Sequence, residues 1–274
     1  MRPVLVALIL ALAGLSQAWA SQALNLSGNL TQGGMVSGKV EPGSKVRFLK
    51  RNVRVAPDGL FVIGFGRDFS GPAKVTVVSP DGSEIVHELA IKKRQYKIQR
   101  INGLPRKMVS PGERALKRIR RENIFISNVR KLDTATPWFA EGFVWPAIGP
   151  VSGVYGSQRI LNGKPRRPHY GVDVAMPTGT PVVAPAPGTI ALAEKDLYFT
   201  GGTIMIDHGH GLTSVLMHLS KVEVKVGDQV KAGDHVGAIG ATGRATGPHL
   251  DWRINWFNQR LDPQLLVPPM PKSK

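Results

Sequence analysis

The sequence contains no cysteine. That removes disulfides, a lipid-modified N-terminal cysteine and cysteine-type zinc sites together, so any metal centre must be built from His, Asp or Glu. There is no H-E-x-x-H run, which excludes the helix-borne protease zinc site of that kind. Acidic residues are scarce, 19 against 36 Lys and Arg in 274 residues. Beyond the first twenty residues no apolar run approaches the roughly 20 residues that a membrane-spanning helix needs.

Residues 1–20 read as an export signal. Arg2 is their one charge, Val4 to Ala13 is apolar, and Ala18-Trp19-Ala20 is a small-x-small cleavage site. The mature chain is expected to start near Ser21. The excess of positive charge is not spread evenly. Residues 92–131 hold fourteen Lys or Arg against Glu113 and Glu122, a local net charge of +12. A stripe of this kind favours polyanions. In an exported chain those are anionic cell-wall polymers or lipid surfaces, and the export signal argues against nucleic acid.

Three textures follow one another. Residues 21–91 are predicted to form a small β-sandwich. Short runs rich in Val, Ile and Phe (Lys45–Leu49, Leu60–Gly64, Lys74–Val78, Ile85–Ala90) are separated by Pro42-Gly43, Pro57-Asp58-Gly59 and Pro80-Asp81-Gly82. Residues 92–141 form a basic helical linker. Ser110-Pro111-Gly112-Glu113 is a capping box, Ala115, Ile119, Ile126 and Val129 follow at helical spacing to about Leu132, and Pro137 stops the helix. Residues 142–260 are a compact β domain with a groove, rich in Gly and Pro, and residues 261–274 are a tail. The fold class is therefore mostly β.

Three pieces of this last domain could carry chemistry. In "HYGVD", His169 and Asp173 lie about 13 Å apart along a straight strand. They can share an ion only if the chain bends, and Gly171 permits a bend. In "VLMHLS", His218 by itself reads as a half-buried core histidine. In "PHLDW", His249 and Asp251 are two apart and share a face of a strand. His208-x-His210, in "DHGHG", reads as turn chemistry between strands.

Taken in order, these pieces resemble the M23 zinc metallopeptidases, the lysostaphin/LytM-type endopeptidases of bacterial peptidoglycan. The resemblance covers roughly residues 143–258. It is carried by "FVWPAIGPVSGVYG", "HYGVDVAMPTGTPVVAPAPGTI", "DHGHGLTSVLMHLS", "VKVGDQVKAGDHVGAIGATGRATGPHL" and "WRINW". The upstream β region, with "GLPRKMVSP", is similar to the N-terminal domain of some Gram-negative members. The resemblance implies one Zn2+ per chain, held by His169, Asp173 and Asp251, with His218 and His249 catalytic. It implies peptidoglycan stem peptides as substrate and the periplasm of a Gram-negative bacterium as the location. Asp251 stands where the family has a histidine. Zinc accepts carboxylate oxygen much as it accepts imidazole nitrogen, and the reach is similar. One His and two carboxylates leave a divalent site formally neutral where two His and one Asp leave it at +1, so a working but retuned site, or a shifted metal preference, is expected ahead of a dead one. The alternative that it implies is a weak or inactive LytM-type protein that binds peptidoglycan or activates another hydrolase.

Overall fold

The computed structural model describes residues 24–101, 113–161 and 163–271. The export signal and the Ser110-Pro111-Gly112 half of the capping box lie outside the described residues.

The chain opens with β1 (Leu26–Gly28), β2 (Met35–Lys39), β3 (Lys45–Phe48), β4 (Arg51–Val53), β5 (Leu60–Gly64), β6 (Ala73–Val78) and β7 (Glu84–Leu89). They form two antiparallel sheets, in the orders β1-β2-β5 and β4-β3-β6-β7. Apolar alternation drives this. K-V-R-F and A-K-V-T-V-V bury every second side chain against one core. Gly59 turns the chain at φ 85, and a Cβ there would lie 1.8 Å from the Val40 carbonyl oxygen, so only glycine fits. Next, β8 (Ile98–Ile101) leaves this region and runs parallel to β10 (Gln158–Leu161).

Helix α1 spans Glu113–Val129. It stops short of Leu132 because the last turn tightens: the Lys131 and Leu132 amides donate to the Asn128 and Val129 carbonyls, an i→i+3 pattern. Its inner face buries Ile119, Glu122 and Val129. Ile126 and Val129 pack against Leu192, Leu197, Met205, Val215 and Met217 of the sheet beneath.

The remaining strands are β9 (Val151–Gly153), β11 (Lys164–Pro165), β12 (Val172–Val174), β13 (Pro181–Val183), β14 (Gly188–Leu197), β15 (Gly201–Asp207), β16 (Leu212–Val222), β17 (Gln229–Val230), β18 (His235–Ile239), β19 (Leu250–Trp256) and β20 (Gln259–Leu261). One sheet runs β17-β14-β15-β16-β19-β12-β9, with β13, β18 and β20 joined at its sides. The fold is mostly β, as the sequence leads one to expect.

The alternation along β19 decides the rest. Leu250, Trp252, Ile254 and Trp256 point to one face and are at most 2% exposed. Asp251, Arg253 and Asn255 therefore point to the other face. The apolar side runs on into the N-terminal sheets, where the Trp256 ring lies 5.8 Å from that of Phe48. The polar side is the face that α1 partly covers, because Val215 and Met217 stand directly opposite Arg253 and Asp251.

Candidate metal centre

Strand pairing brings the first donors together. Asp173 on β12 is the cross-strand partner of Asp251 on β19, so the two carboxylates leave the same face side by side. The chain bends at Gly171, just before β12, and folds His169 back over them. His169 Nε2 lies 3.0 Å from Asp173 Oδ1 and 3.4 Å from Asp251 Oδ2. Each residue offers one donor atom, all within 4.8 Å of one another.

These residues fit a small divalent ion. Two donors at zinc-like bond lengths on a tetrahedral ion are separated by about 3.3 Å. His169 Nε2 and Asp173 Oδ1 are buried without a hydrogen-bond partner, two polar atoms that converge with nothing else to satisfy them. His169 Nδ1 faces the Val154 carbonyl at 3.3 Å, which places the proton there and leaves Nε2 as the donor. Two glycines make the room. A Cβ on Gly153 would sit 2.1 Å from Asp173 Oδ2, and one on Gly171 2.4 Å from Asp251 Oδ1. Without an ion, burial works against a charged His169, but the carboxylates of Asp173 and Asp251 outweigh it and push the imidazole up to about 10, so Nε2 then carries a proton that a bound ion would displace.

Beside this trio stand the two other histidines singled out in the sequence. The rings of His218 and His249 are 4.7 Å apart between centroids. Each gives Nδ1 to a backbone carbonyl, His218 to Thr242 at 2.9 Å and His249 to Gly247 at 2.8 Å, so each keeps Nε2 for other work. His218 is not an ordinary core histidine. It has φ 65 within a strand, a left-handed conformation that costs a non-glycine residue energy and that concentrates at functional sites. Burial pushes its imidazole down, toward the neutral form. His208 and His210 lie apart from the centre. His208 is fully buried between the Pro187 carbonyl and Ser214 Oγ, and His210 faces the Ala135 carbonyl at 3.1 Å.

Sequence reasoning missed Arg253. Its Nε lies 3.0 Å from Asp251 Oδ1 and its Nη2 2.5 Å from Oδ2, a bidentate grip. Burial works against an ionised Asp251, but Arg253, and after it His169, hold the carboxylate well below the ordinary range. The signal was present in "LDWRI": on a strand, Asp-x-Arg puts both side chains on one face. With Arg253 counted, a divalent ion, two carboxylates and one guanidinium total +1. That equals the charge of a centre with two histidines and one carboxylate, because Arg253 offsets the second carboxylate from the next position on its face.

Comparison with known proteins identifies the family. The profile of peptidase family M23 matches residues 167–263. A peptidoglycan DD-endopeptidase of Vibrio cholerae, ShyA, is 41% identical over 87 residues, 32% of this chain and 20% of that protein. A metalloprotease of Haemophilus influenzae is 44% identical over 100 residues, 35% and 20% of the two chains. The aligned region thus spans about a fifth of these curated relatives. A crystal structure of an M23 peptidase from Pseudomonas aeruginosa superposes with a TM-score of 0.66 at 30% identity, covering 89% of this chain and 96% of that one. With a likeness of that extent, and a cluster of donors able to hold a metal ion, the chain belongs to peptidase family M23.

Proposed function

We propose that the protein is a zinc endopeptidase that hydrolyses peptide cross-links of bacterial peptidoglycan in the periplasm. The observation that carries this reading is the convergence of His169, Asp173 and Asp251 beside the paired rings of His218 and His249. The relatives named as peptidoglycan endopeptidases support the substrate class.

His169, Asp173 and Asp251 would hold the ion, which supplies Lewis-acid polarisation of the scissile carbonyl when bound. The chain's own residues handle the protons. His218, kept neutral by burial and oriented by Thr242, is suited to accept a proton from the attacking water. His249, oriented by Gly247, is placed to deliver one to the leaving amine or to stabilise the oxyanion. The Asp251–Arg253 grip fixes the carboxylate with one oxygen turned toward His169.

The test is metal content and muropeptide cleavage by the wild type and by Asp251→Ala and His249→Ala. Cleavage that needs both residues is expected. A wild type that binds no zinc and cuts nothing refutes the reading.

A second contact accompanies the first. The outward face of α1 exposes Arg114, Lys117, Arg120 and Arg121 around Ile124 and Phe125. Among the described residues these four form no ion pair with a carboxylate, whereas Arg94 and Arg118 of the same stripe are paired with Asp262 and Glu122. It suits an anionic lipid or wall surface. Charge reversal at Arg120 and Arg121 is expected to abolish binding to anionic vesicles or sacculi without changing cleavage of soluble muropeptides.

A further inference from the structure

The polar face of β19 carries more than the metal centre. Asp251, Arg253 and Asn255 follow one another on that face, and β20 places Arg260 directly opposite Asn255, whose side-chain oxygen it hydrogen-bonds. Helix α1 ends on the same face. Its Val129 packs with Val215 and Met217, the cross-strand partners of Arg253 and Asp251, so the next residue, Arg130, arrives beside Arg253. Arg167, an exposed residue two before His169, lies near enough to repel both Arg130 and Arg260.

Four guanidiniums thus gather beside the centre, and their partners are few. Arg253 has Asp251. Among the described residues, the Arg260 guanidinium hydrogen-bonds only the neutral amide of Asn255. Arg130 Nε is buried with no acceptor, and so is Nε of the neighbouring Arg166. Among the described residues, Arg130, Arg167 and Arg260 form no ion pair with a carboxylate. Burial, followed by mutual repulsion, pushes Arg130 down to about 9 and Arg260 down to about 10. The repulsion at Arg130 comes from Arg260, Arg253 and Arg167, so Arg130 lies near all three. Uncompensated cations of this kind cost stability in the free protein, and a built anion site is one arrangement that offsets the cost.

We propose that Arg130, Arg167 and Arg260 form a subsite for a free carboxylate of the peptide substrate, next to the metal centre. The inference rests on the reading of that centre as a peptidase site and adds what the enzyme selects. Guanidiniums pair with carboxylates through parallel N–H donors, and a cluster of them discriminates an acid from its amide. Arg253 stays with Asp251 and marks the border between the subsite and the metal donors.

The test uses the full-length protein carrying His249→Ala to prevent turnover. Calorimetry measures its binding of a cross-linked muropeptide with free carboxylates and of the same peptide fully amidated. The free acid is expected to bind at least tenfold more tightly. Arg130→Gln and Arg260→Gln are each expected to weaken the acid by roughly tenfold to a hundredfold and to leave the amide unchanged. Equal affinity for acid and amide, or equal losses for both in the variants, overturns the proposal. Both variants should also unfold at or above the wild-type temperature, because they relieve repulsion, and a marked drop would reassign these arginines to structure. If neither peptide binds, the peptidase reading fails and glutarate decides the subsite. Stabilisation by glutarate over chloride at matched ionic strength, lost in Arg130→Gln/Arg260→Gln, upholds it. No stabilisation overturns it.

Discussion

Replacing Asp251 by histidine is expected to damage this protein. An imidazole that gives one nitrogen to a metal bears a proton on the other. Asp251→His would therefore set an N–H against the guanidinium of Arg253, which now donates to both Asp251 oxygens. Arg253 loses the carboxylate that it grips, and its side chain is only 29% exposed. Removing one member of a buried ion pair costs about 3–5 kcal/mol, and the partial exposure of Arg253 places this case near 3 kcal/mol. For a chain of this size that is a fall of roughly 6–12 °C in unfolding temperature. The loaded centre would carry +2 instead of +1, and metal affinity should drop roughly 10–100-fold, the usual effect of disturbing a ligand's support. Adding Arg253→Met returns the total to +1 and removes the orphaned cation, so the double variant should recover most of both losses. The assay is thermal unfolding of metal-free protein, with metal affinity measured by competition against a chromophoric chelator. Asp251→His as stable as wild type and binding metal at least as tightly would refute the argument that residues 251 and 253 act as one unit.

Three further outcomes are expected. His218→Ala and His249→Ala should each lower kcat by about 10²–10⁴-fold, as removal of an acid or base does, with metal content retained. Loss of the metal in either variant would place that histidine among the ligands. Gly171→Ala drives a Cβ to 2.4 Å from Asp251 Oδ1 and 2.6 Å from Arg253 Cγ. It should cost about 1–3 kcal/mol and weaken metal binding, and unchanged affinity would show that this glycine does not shape the site. Stability should fall on acidification from pH 6.5 toward 4 because of His208, which burial pushes down to about 4. In that window the unfolded chain binds a proton that the folded chain does not. Up to about 3 kcal/mol of stability, complete above pH 6.5, is then lost by pH 4. In His208→Asn the slope should flatten, and an unchanged slope would assign the acid sensitivity elsewhere.

Much of the fold was legible in the chain because alternation and turn residues are local. Leu60–Gly64, Gln229–Val230 and His235–Ile239 appear where the apolar runs lie. The sequence places one end of α1 too late, since the tightening after Val129 depends on the hydrogen bonds of a single turn. The two halves of the chain differ in composition, yet Phe48 and Trp256 meet in one core, a long-range contact that composition does not announce.

At the site the division is sharper. By itself the sequence determined which residues could carry the chemistry. Without cysteine a metal must use His, Asp or Glu, and the spacing of "HYGVD", "VLMHLS" and "PHLDW" singles out five of them. It also determined that Asp251 and Arg253 share a face, because that follows from the two-residue period of a strand. Only the tertiary structure decided that Asp173 pairs across the sheet with Asp251, that His169 folds back to 3.0 Å from Asp173, and that Arg130 and Arg260 arrive from a helix and another strand beside Arg253. Strand register and helix docking are set by burial of the opposite, apolar face. The polar face inherits its neighbours from packing decided on the other side of the sheet, and the charge of the metal centre with them.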